Sequence, residues 1–277
     1  MARGFRVGLI GAGIGASLSP ALHEREAALL GLDYTYELLD IEELGRAPED
    51  VRTMVREPEF DGFNVTHPCK QLVVEALDEL SPEAEAIDAV NTVVPRNGRL
   101  GGHNTDTTGF RAAFERGLPG AATGSVVLLG AGGAGAAVGH GLGARRLTVL
   151  DADDSRARGL ADRLGAESAP LAELGALLAE ADGLVHATPT GMAAYPGTAV
   201  PAELLHERLW VAELVYIPIE TRLLADARAR GCRTLDGAAM VALQAAGSLE
   251  LITGVEPDRD RMLSHVGELI AGRRAAA

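Results

Sequence analysis

The chain has 277 residues, of which 47% are apolar, enough for one large domain or two modest ones. Its formal net charge of −14 argues against nucleic acid or an anionic membrane surface as a partner, and no apolar run reaches the roughly 18 residues of a membrane span. The N-terminal stretch lacks the charged, apolar and cleavage regions of a signal peptide, so a cytoplasmic location is expected.

The first distinctive stretch is "RVGLIGAGIGASLSP", residues 6–20. An apolar run leads into Gly11-Ala12-Gly13-Ile14-Gly15-Ala16, which fits the G-x-G-x-x-G/A dinucleotide fingerprint. The residues after it do not suit that role. A helix can begin only at Pro20, with Ser19 as its cap. The acid that closes "YTYELLD", Asp40, lies 29 positions after Gly11, whereas the fingerprint expects about 20. This loop is therefore read as a decoy for a nucleotide. It still brings two serine hydroxyls and a helix N-terminus to the end of a strand, where open α/β sheets bind small anions. The plainer alternative is that Ser19 only caps a helix.

Three polar clusters follow. "FDGFNVTHPCKQ" places Asn64, Thr66 and Lys70 around Pro68, ahead of an amphipathic helix expected over 70–80. Lys70 is the single lysine beside 24 arginines. An ammonium can be tuned to exchange a proton and a guanidinium cannot, which makes this position a candidate for proton transfer. "AIDAVNTVV" sets Asn91 among apolar residues, and "GGHNTDTTGF" sets Asn104, Thr105 and Asp106 before another helix. Turn chemistry or helix capping would also explain each cluster.

The second glycine loop, "VVLLGAGGAGAA" at 126–137, meets every requirement of the fingerprint. A strand over 125–129 precedes it. Gly130, Gly132 and Gly135 supply the turn, the close approach to pyrophosphate and the helix–strand contact. The next strand, "RLTVLD", ends in Asp151, 21 positions after Gly130, where an acid can accept the ribose hydroxyls of the adenosine. Helices near 154–164, 171–180 and 220–230 alternate with strands at 183–187, 210–216 and 232–236. That alternation implies a doubly wound parallel sheet. Apolar residues at Leu243, Leu249, Leu251, Ile252, Met262, Val266 and Leu269 suit helices over 241–277. Cys69 and Cys232 form no CxxC and are expected as reduced thiols. The seven histidines show no metal-binding spacing, so no metal is assigned.

The ordered set SLSP, NVTxPxK, AVNT, NTDxxG and GAGGAG resembles the shikimate dehydrogenase family, including its quinate/shikimate branch. "ATPTGM" (187–192), "LVYIPIETRLLADARARGC" (214–232) and "DGAAMVALQA" (236–245) extend the resemblance over essentially the whole chain. It implies an α/β protein of two domains. Residues 1–108 and 241–277 would form a substrate-binding catalytic domain with a mixed sheet and a C-terminal helical return, and 109–240 a Rossmann domain. The implied activity is an oxidoreductase of aromatic amino acid biosynthesis that interconverts shikimate and 3-dehydroshikimate, with quinate as a further substrate.

The resemblance also implies roles. Lys70 and Asp106 would be the catalytic pair. Ser17 and Ser19 would hold the carboxylate of a cyclohexene or cyclohexane substrate. Asn64, Thr66, Asn91 and Gln244 would bond its ring hydroxyls, and Tyr216 would lie over the nicotinamide side. Gly130, Gly132, Gly133, Ala134 and Gly135 would cradle the pyrophosphate, with Asp151, Thr188, Gly237 and Met240 as further cofactor contacts. NADP-using members carry an Asn-Arg-Thr-like segment after the second Rossmann strand, its arginine gripping the 2′-phosphate. Here Asp151-Ala152-Asp153-Asp154 stands there, which points to NAD.

Two rivals share much of this pattern. A dehydrogenase for an amino-substituted relative would keep nearly every residue named, and only substrate assays separate it. A non-catalytic NAD-binding regulatory module would be expected to lose Lys70 or Asp106, and both are present. A homodimer is compatible with the sequence, which does not itself fix an assembly.

Overall fold

The apolar run Val7-Gly8-Leu9-Ile10 lies within strand Phe5–Gly11 (β1), inside a six-stranded sheet. The structure is a computed structural model describing residues 4–276. The chain divides into two units: the first comprises the residues up to Gly109 together with those from Val241 onward, and the second is Phe110–Met240.

In the first unit β1 pairs in parallel with Tyr34–Asp40 (β2) and Gly62–Val65 (β3). Thr92–Arg96 (β5) runs antiparallel to both β3 and Arg99–His103 (β6), and Glu79–Leu80 (β4) pairs in parallel with β6. The order β2-β1-β3-β5-β6-β4 is thus a mixed sheet. Ser19–Leu29 (α1) follows β1; Val51–Met54 (α2) and Pro82–Ile87 (α3) are short. Phe63, Val65, Val73, Val90 and Val93 pack with Met54 and Phe60 in one core. A second core joins Val7, Leu9, Tyr34 and Tyr36 to Leu249 and Ile252. The latter two lie on helix Ala238–Thr253 (labelled α9), which Arg259–Ala276 (α10) follows. Gly62 must stay small here, because a Cβ on it would stand 2.7 Å from Ile252 Cγ1.

Two local expectations are corrected. Helix α1 begins at Ser19 with Leu18, not Ser19, in the N-cap position and no side-chain cap. The Ser17 hydroxyl accepts the Ser19 N–H at 3.2 Å instead, and Pro20 in the first turn brings no N–H that needs a partner. The helix expected over 70–80 is only a 3₁₀ stretch, Leu72–Ala76, followed by β4. Arg52 Nε and Arg56 Nη2 take the carbonyls of Leu72 and Ala76, and β6 captures the chain beyond them through Asp78 N–H to Leu100 O.

The second unit begins within helix Thr105–Gly117 (α4), at Phe110. Its strands are Val126–Leu129 (β7), Leu147–Leu150 (β8), Glu167–Ser168 (β9), Gly183–His186 (β10), Trp210–Glu213 (β11) and Arg233–Leu235 (β12). All pair in parallel, in the order β12-β11-β10-β7-β8-β9. Helices Gly133–Leu142 (α5), Asp154–Leu164 (α6), Leu174–Glu180 (α7) and Arg222–Ala229 (α8) alternate with them. The helix expected from 171 opens as a 3₁₀ turn, Leu171–Glu173, behind Pro170. The strand expected over 210–216 stops at Glu213, before the loop through Pro218. Strand order reverses between β7 and β10, the switch point where such sheets bind ligands. Among the described residues no helix is long and apolar enough to cross a membrane, and no group of three or more His, Cys, Asp or Glu could hold a metal. Cys69 and Cys232 are free and buried.

Candidate active site

In the first unit the chemistry-bearing residues gather at the carboxyl ends of β1 and β3. Lys70 Nζ stands 2.5 Å from Asp106 Oδ2, both side chains largely buried. Asp106 lies in the first turn of α4, where the helix dipole favours a carboxylate. It is not the helix cap. Asn104 Oδ1 accepts the Thr107 N–H at 3.3 Å, and Asn104 Nδ2 donates to Ala89 O. Capping is therefore done by a neighbour, and the Asp106 carboxylate is left to hold the ammonium.

Around this pair runs a network of hydroxyls and amides. Asn91 Oδ1 accepts from Thr105 N at 2.8 Å and from Thr92 Oγ1 at 3.0 Å, while its Nδ2 donates to Thr105 Oγ1 at 2.9 Å. Asn64 is 6% exposed. Its Oδ1 accepts from the Tyr36 hydroxyl at 2.8 Å, and its Nδ2 lies within reach of Ser248 Oγ at 2.7 Å, Thr92 Oγ1 at 3.1 Å and Asn91 O at 3.2 Å. Both of its N–H groups are thus engaged by protein, leaving one lone pair on Oδ1 for any ligand. Ser19 is a further side-chain hydrogen-bond partner of the Tyr36 hydroxyl. Burial pushes the Tyr36 phenol well above its ordinary pKa, so it stays protonated and able to donate. Thr66 follows β3 against Gly11, where a Cβ would strike Thr66 Cγ2. Gln244 is half-buried on α9, its Nε2 donating to Val241 O at 3.2 Å.

The two glycine loops differ in what their amides do. In the first, Asp40 Oδ2 accepts Ile14 N–H at 2.8 Å and Oδ1 accepts Gly13 N–H at 3.3 Å, while Ala12 N–H goes to His67 O. These bonds hold the Asp40 carboxyl below its usual pKa. An internal carboxylate occupies the amides that a phosphate would need.

In the second loop Gly130 N–H goes to Leu150 O at 2.8 Å and a carboxylate takes one amide, Ala131 N–H, through Asp151 Oδ2 at 2.7 Å. Gly130 adopts φ +114°, and a Cβ there would stand 2.7 Å from the Ala187 carbonyl. A Cβ on Gly135 would collide with Gly130 O. Gly132 caps α5, whose N-terminal turn holds Gly133 and Ala134, and its nearest side-chain neighbour is the Arg156 guanidinium, 3.5 Å from a Cβ placed there. Helix-terminal amides beside a cation suit a pyrophosphate. Thr188 follows β10 next to this loop, its hydroxyl 2.5 Å from His186 Nε2. Tyr216 follows β11 and backs onto Gly237, where a Cβ would lie 2.6 Å from Leu214 O. Met240 is half-buried on the first turn of α9.

The model of the shikimate dehydrogenase substrate binding domain matches residues 9–93. A shikimate dehydrogenase (NADP(+)) of Streptomyces avermitilis is 58% identical, covering 96% of each chain. The chain belongs to the shikimate dehydrogenase family. A quinate/shikimate dehydrogenase (NAD(+)) of Corynebacterium efficiens is 45% identical over 92% of this chain and 95% of its own. The solved quinate dehydrogenase from Corynebacterium glutamicum in complex with NAD superposes with a TM-score of 0.88 at 43% identity, covering 94% of this chain and 98% of that one. Family membership makes the protein an oxidoreductase with a Rossmann-type domain for a nicotinamide dinucleotide.

Tyr36, Ser248 and the His186–Glu213 pair belong to no motif in the sequence, and Thr92 only closes AVNT. The alternation of Tyr34 and Tyr36 along β2 was the one available signal for the first. The others are joined by contacts between distant segments.

Proposed function

We propose that the protein is an NAD-preferring dehydrogenase that interconverts shikimate and 3-dehydroshikimate, with quinate as a poorer substrate. The observation that carries the reading is the 2.5 Å pair of Lys70 Nζ and Asp106 Oδ2 beside a set of hydroxyl and amide groups suited to a polyhydroxylated ring. A bound nicotinamide supplies the hydride acceptor. As the free amine Lys70 takes the proton of the substrate hydroxyl while the ketone forms, becoming the ammonium, and as the ammonium it returns that proton in the reverse direction. Asp106 orients the ammonium, whose charge stabilises the developing alkoxide. Ser17 and Ser19, at the start of α1, hold the carboxylate. Thr66, Asn91 and Gln244 are assigned to the ring hydroxyls, with Asn64 contributing mainly by fixing Asn91 and Thr92. On the dinucleotide side, Tyr216, Gly237 and Met240 are assigned to the nicotinamide end.

The preference for NAD rests on residues 151–154. Asp151 and Asp153 stand where a 2′-phosphate would need a cation. Asp153 accepts from Ser155 N, Ser155 Oγ and Arg156 N, bonds that keep it ionised. Asp151 Oδ1 accepts Asp153 N–H at 3.0 Å and Oδ2 accepts Ala131 N–H. Each oxygen keeps a further lone pair for a ribose hydroxyl. The close Streptomyces relative is named for NADP and the Corynebacterium ones for NAD, so assay with both cofactors decides. Absorbance of reduced nicotinamide should rise on mixing the protein with shikimate and NAD, and more slowly with quinate. No reduction of either dinucleotide by either acid would overturn the reading.

A further inference from the structure

His186 closes β10 with 1% of its surface exposed, and both ring nitrogens have partners. Nδ1 lies 2.8 Å from Glu213 Oε1, the residue directly opposite on β11, and Nε2 lies 2.5 Å from Thr188 Oγ1. Glu213 is equally buried. Its Oε1 also accepts Val215 N–H at 3.0 Å, and its Oε2 accepts the Thr221 hydroxyl at 3.0 Å. Thr221 Oγ1 in turn caps α8 by accepting Leu224 N–H. With donors already aimed at both carboxylate oxygens, Glu213 is the acceptor and the ring supplies N–H from Nδ1.

An uncharged imidazole protonated at Nδ1 has a bare Nε2. The hydrogen between Nε2 and Thr188 Oγ1 is then the threonine's own, donated inward. One of the two lone pairs on Oγ1 accepts Thr190 N–H at 3.3 Å. A single acceptor site remains, beside the glycine loop, where a Cβ on Gly130 would stand 3.0 Å from Thr188 N.

We infer that His186 and Glu213 are positioning residues that fix Thr188 as a hydrogen-bond acceptor, so that the dinucleotide group it meets is a donor, a hydroxyl of the nicotinamide ribose or the carboxamide N–H, and not a phosphate oxygen. This rests on the reading of the second loop as the dinucleotide site. His186 touches no reacting atom; it acts by removing the threonine's freedom to rotate its hydroxyl outward, where it would suit a phosphate.

The test is calorimetric titration of the full chain with NAD, NADP and ADP. Thr188→Val should weaken both dinucleotides by about two- to tenfold, the usual worth of one hydrogen bond. Thr188→Ser should restore them, and ADP, which lacks the nicotinamide ribose and the carboxamide, should bind all variants alike. His186→Phe should weaken the dinucleotides alone but add nothing in the Thr188→Val background, because it acts through that hydroxyl. The acetylpyridine analogue of NAD lacks the carboxamide N–H. A Thr188→Val penalty that vanishes with it assigns the carboxamide, and one that persists assigns the ribose. Nitrogen NMR of the wild-type imidazole should find no hydrogen on Nε2, a readout that stands even where His186→Phe does not fold. Additive losses, an equal loss of ADP, unchanged dinucleotide affinity in Thr188→Val, or a hydrogen on Nε2 would each overturn the inference. A wild-type chain that binds neither dinucleotide would instead overturn the site on which it rests.

Discussion

Asp40 Oδ2 holds the amide of Ile14 at 2.8 Å, and the same carboxylate takes the amides of Gly13 and Glu42. A side chain from the end of β2 thereby locks the turn that carries Ser17 and Ser19. Asp40→Ala should lower the denaturation midpoint and raise KM for shikimate with a smaller change in kcat, since the serines lose their frame. Asp40→Asn should recover part of both. The backbone donors lower the folded-state pKa of Asp40. Its stabilising contribution is therefore present above the ordinary aspartate range and is lost as pH falls through the lowered value. An Asp40→Ala protein with wild-type KM would show that the loop holds its shape without the carboxylate.

Lys70 is expected to carry proton transfer. Lys70→Ala should reduce kcat by about 10²–10⁴-fold, the usual worth of a positioned acid–base group, with a smaller effect on KM. Lys70→Arg should fail nearly as badly, because guanidinium keeps the charge and cannot exchange the proton. Steady-state kinetics checks both. An active arginine variant would mean that charge alone suffices. As the single lysine, Lys70 is also the one side-chain amine open to acylation, and inactivation should track its modification by mass spectrometry.

Tyr36 donates to Asn64 Oδ1 inside a buried network. Tyr36→Phe leaves that oxygen without its donor and should lower stability by about 1–3 kcal/mol, the cost of a buried unsatisfied polar group. Chemical denaturation measures this. Asn64→Ala, which strands Ser248 and Thr92 as well, should cost more. Equal stability of Tyr36→Phe and wild type would show that water replaces the phenol.

His23 is wholly buried between Tyr34 and Tyr36, its Nδ1 3.0 Å from Tyr34 Oη. Burial pushes its pKa down to about 3. Between that value and the ordinary histidine pKa of about 6.5 the unfolded chain binds a proton that the folded chain does not. Stability should therefore fall as pH drops from about 6.5 toward 3, by at most about 1.4 kcal/mol per pH unit from this group. Denaturation midpoints across pH 7 to 4 should show a shallower fall in His23→Gln than in wild type. Parallel curves would assign the acid sensitivity elsewhere.

The second glycine loop was legible because its signals are local: three glycines, a strand on each side and Asp151 at the correct distance. The polar clusters were legible as motifs: Lys70 stands out as the single lysine, and Asp106 only through its place in NTDxxG, the segment that carries the family resemblance. What surrounds them was not. Asn64 meets Ser248 across 184 residues, and His186 meets Glu213 because two parallel strands align in register. Spacing rules cannot reach partners chosen by sheet order. Conversely, the apolar periodicity over 70–80 suggested a helix, and the competing claims of Arg52, Arg56 and β6 on the backbone reduced it to a 3₁₀ stretch. The cap expected at Ser19 has the same character, because α1 starts one residue earlier, at Ser19, which puts Leu18 in the cap position.

An NAD-preferring shikimate dehydrogenase shows itself in the ratio of kcat/KM for NAD and NADP with shikimate. NAD should lead by about tenfold or more, equivalent to about 1.4 kcal/mol of transition-state stabilisation. Asp151→Asn with Ala152→Arg, which removes one carboxylate and adds a cation beside the ribose, should shift the ratio toward NADP. A wild-type protein with the higher kcat/KM for NADP would show that residues 151–154 do not select NAD.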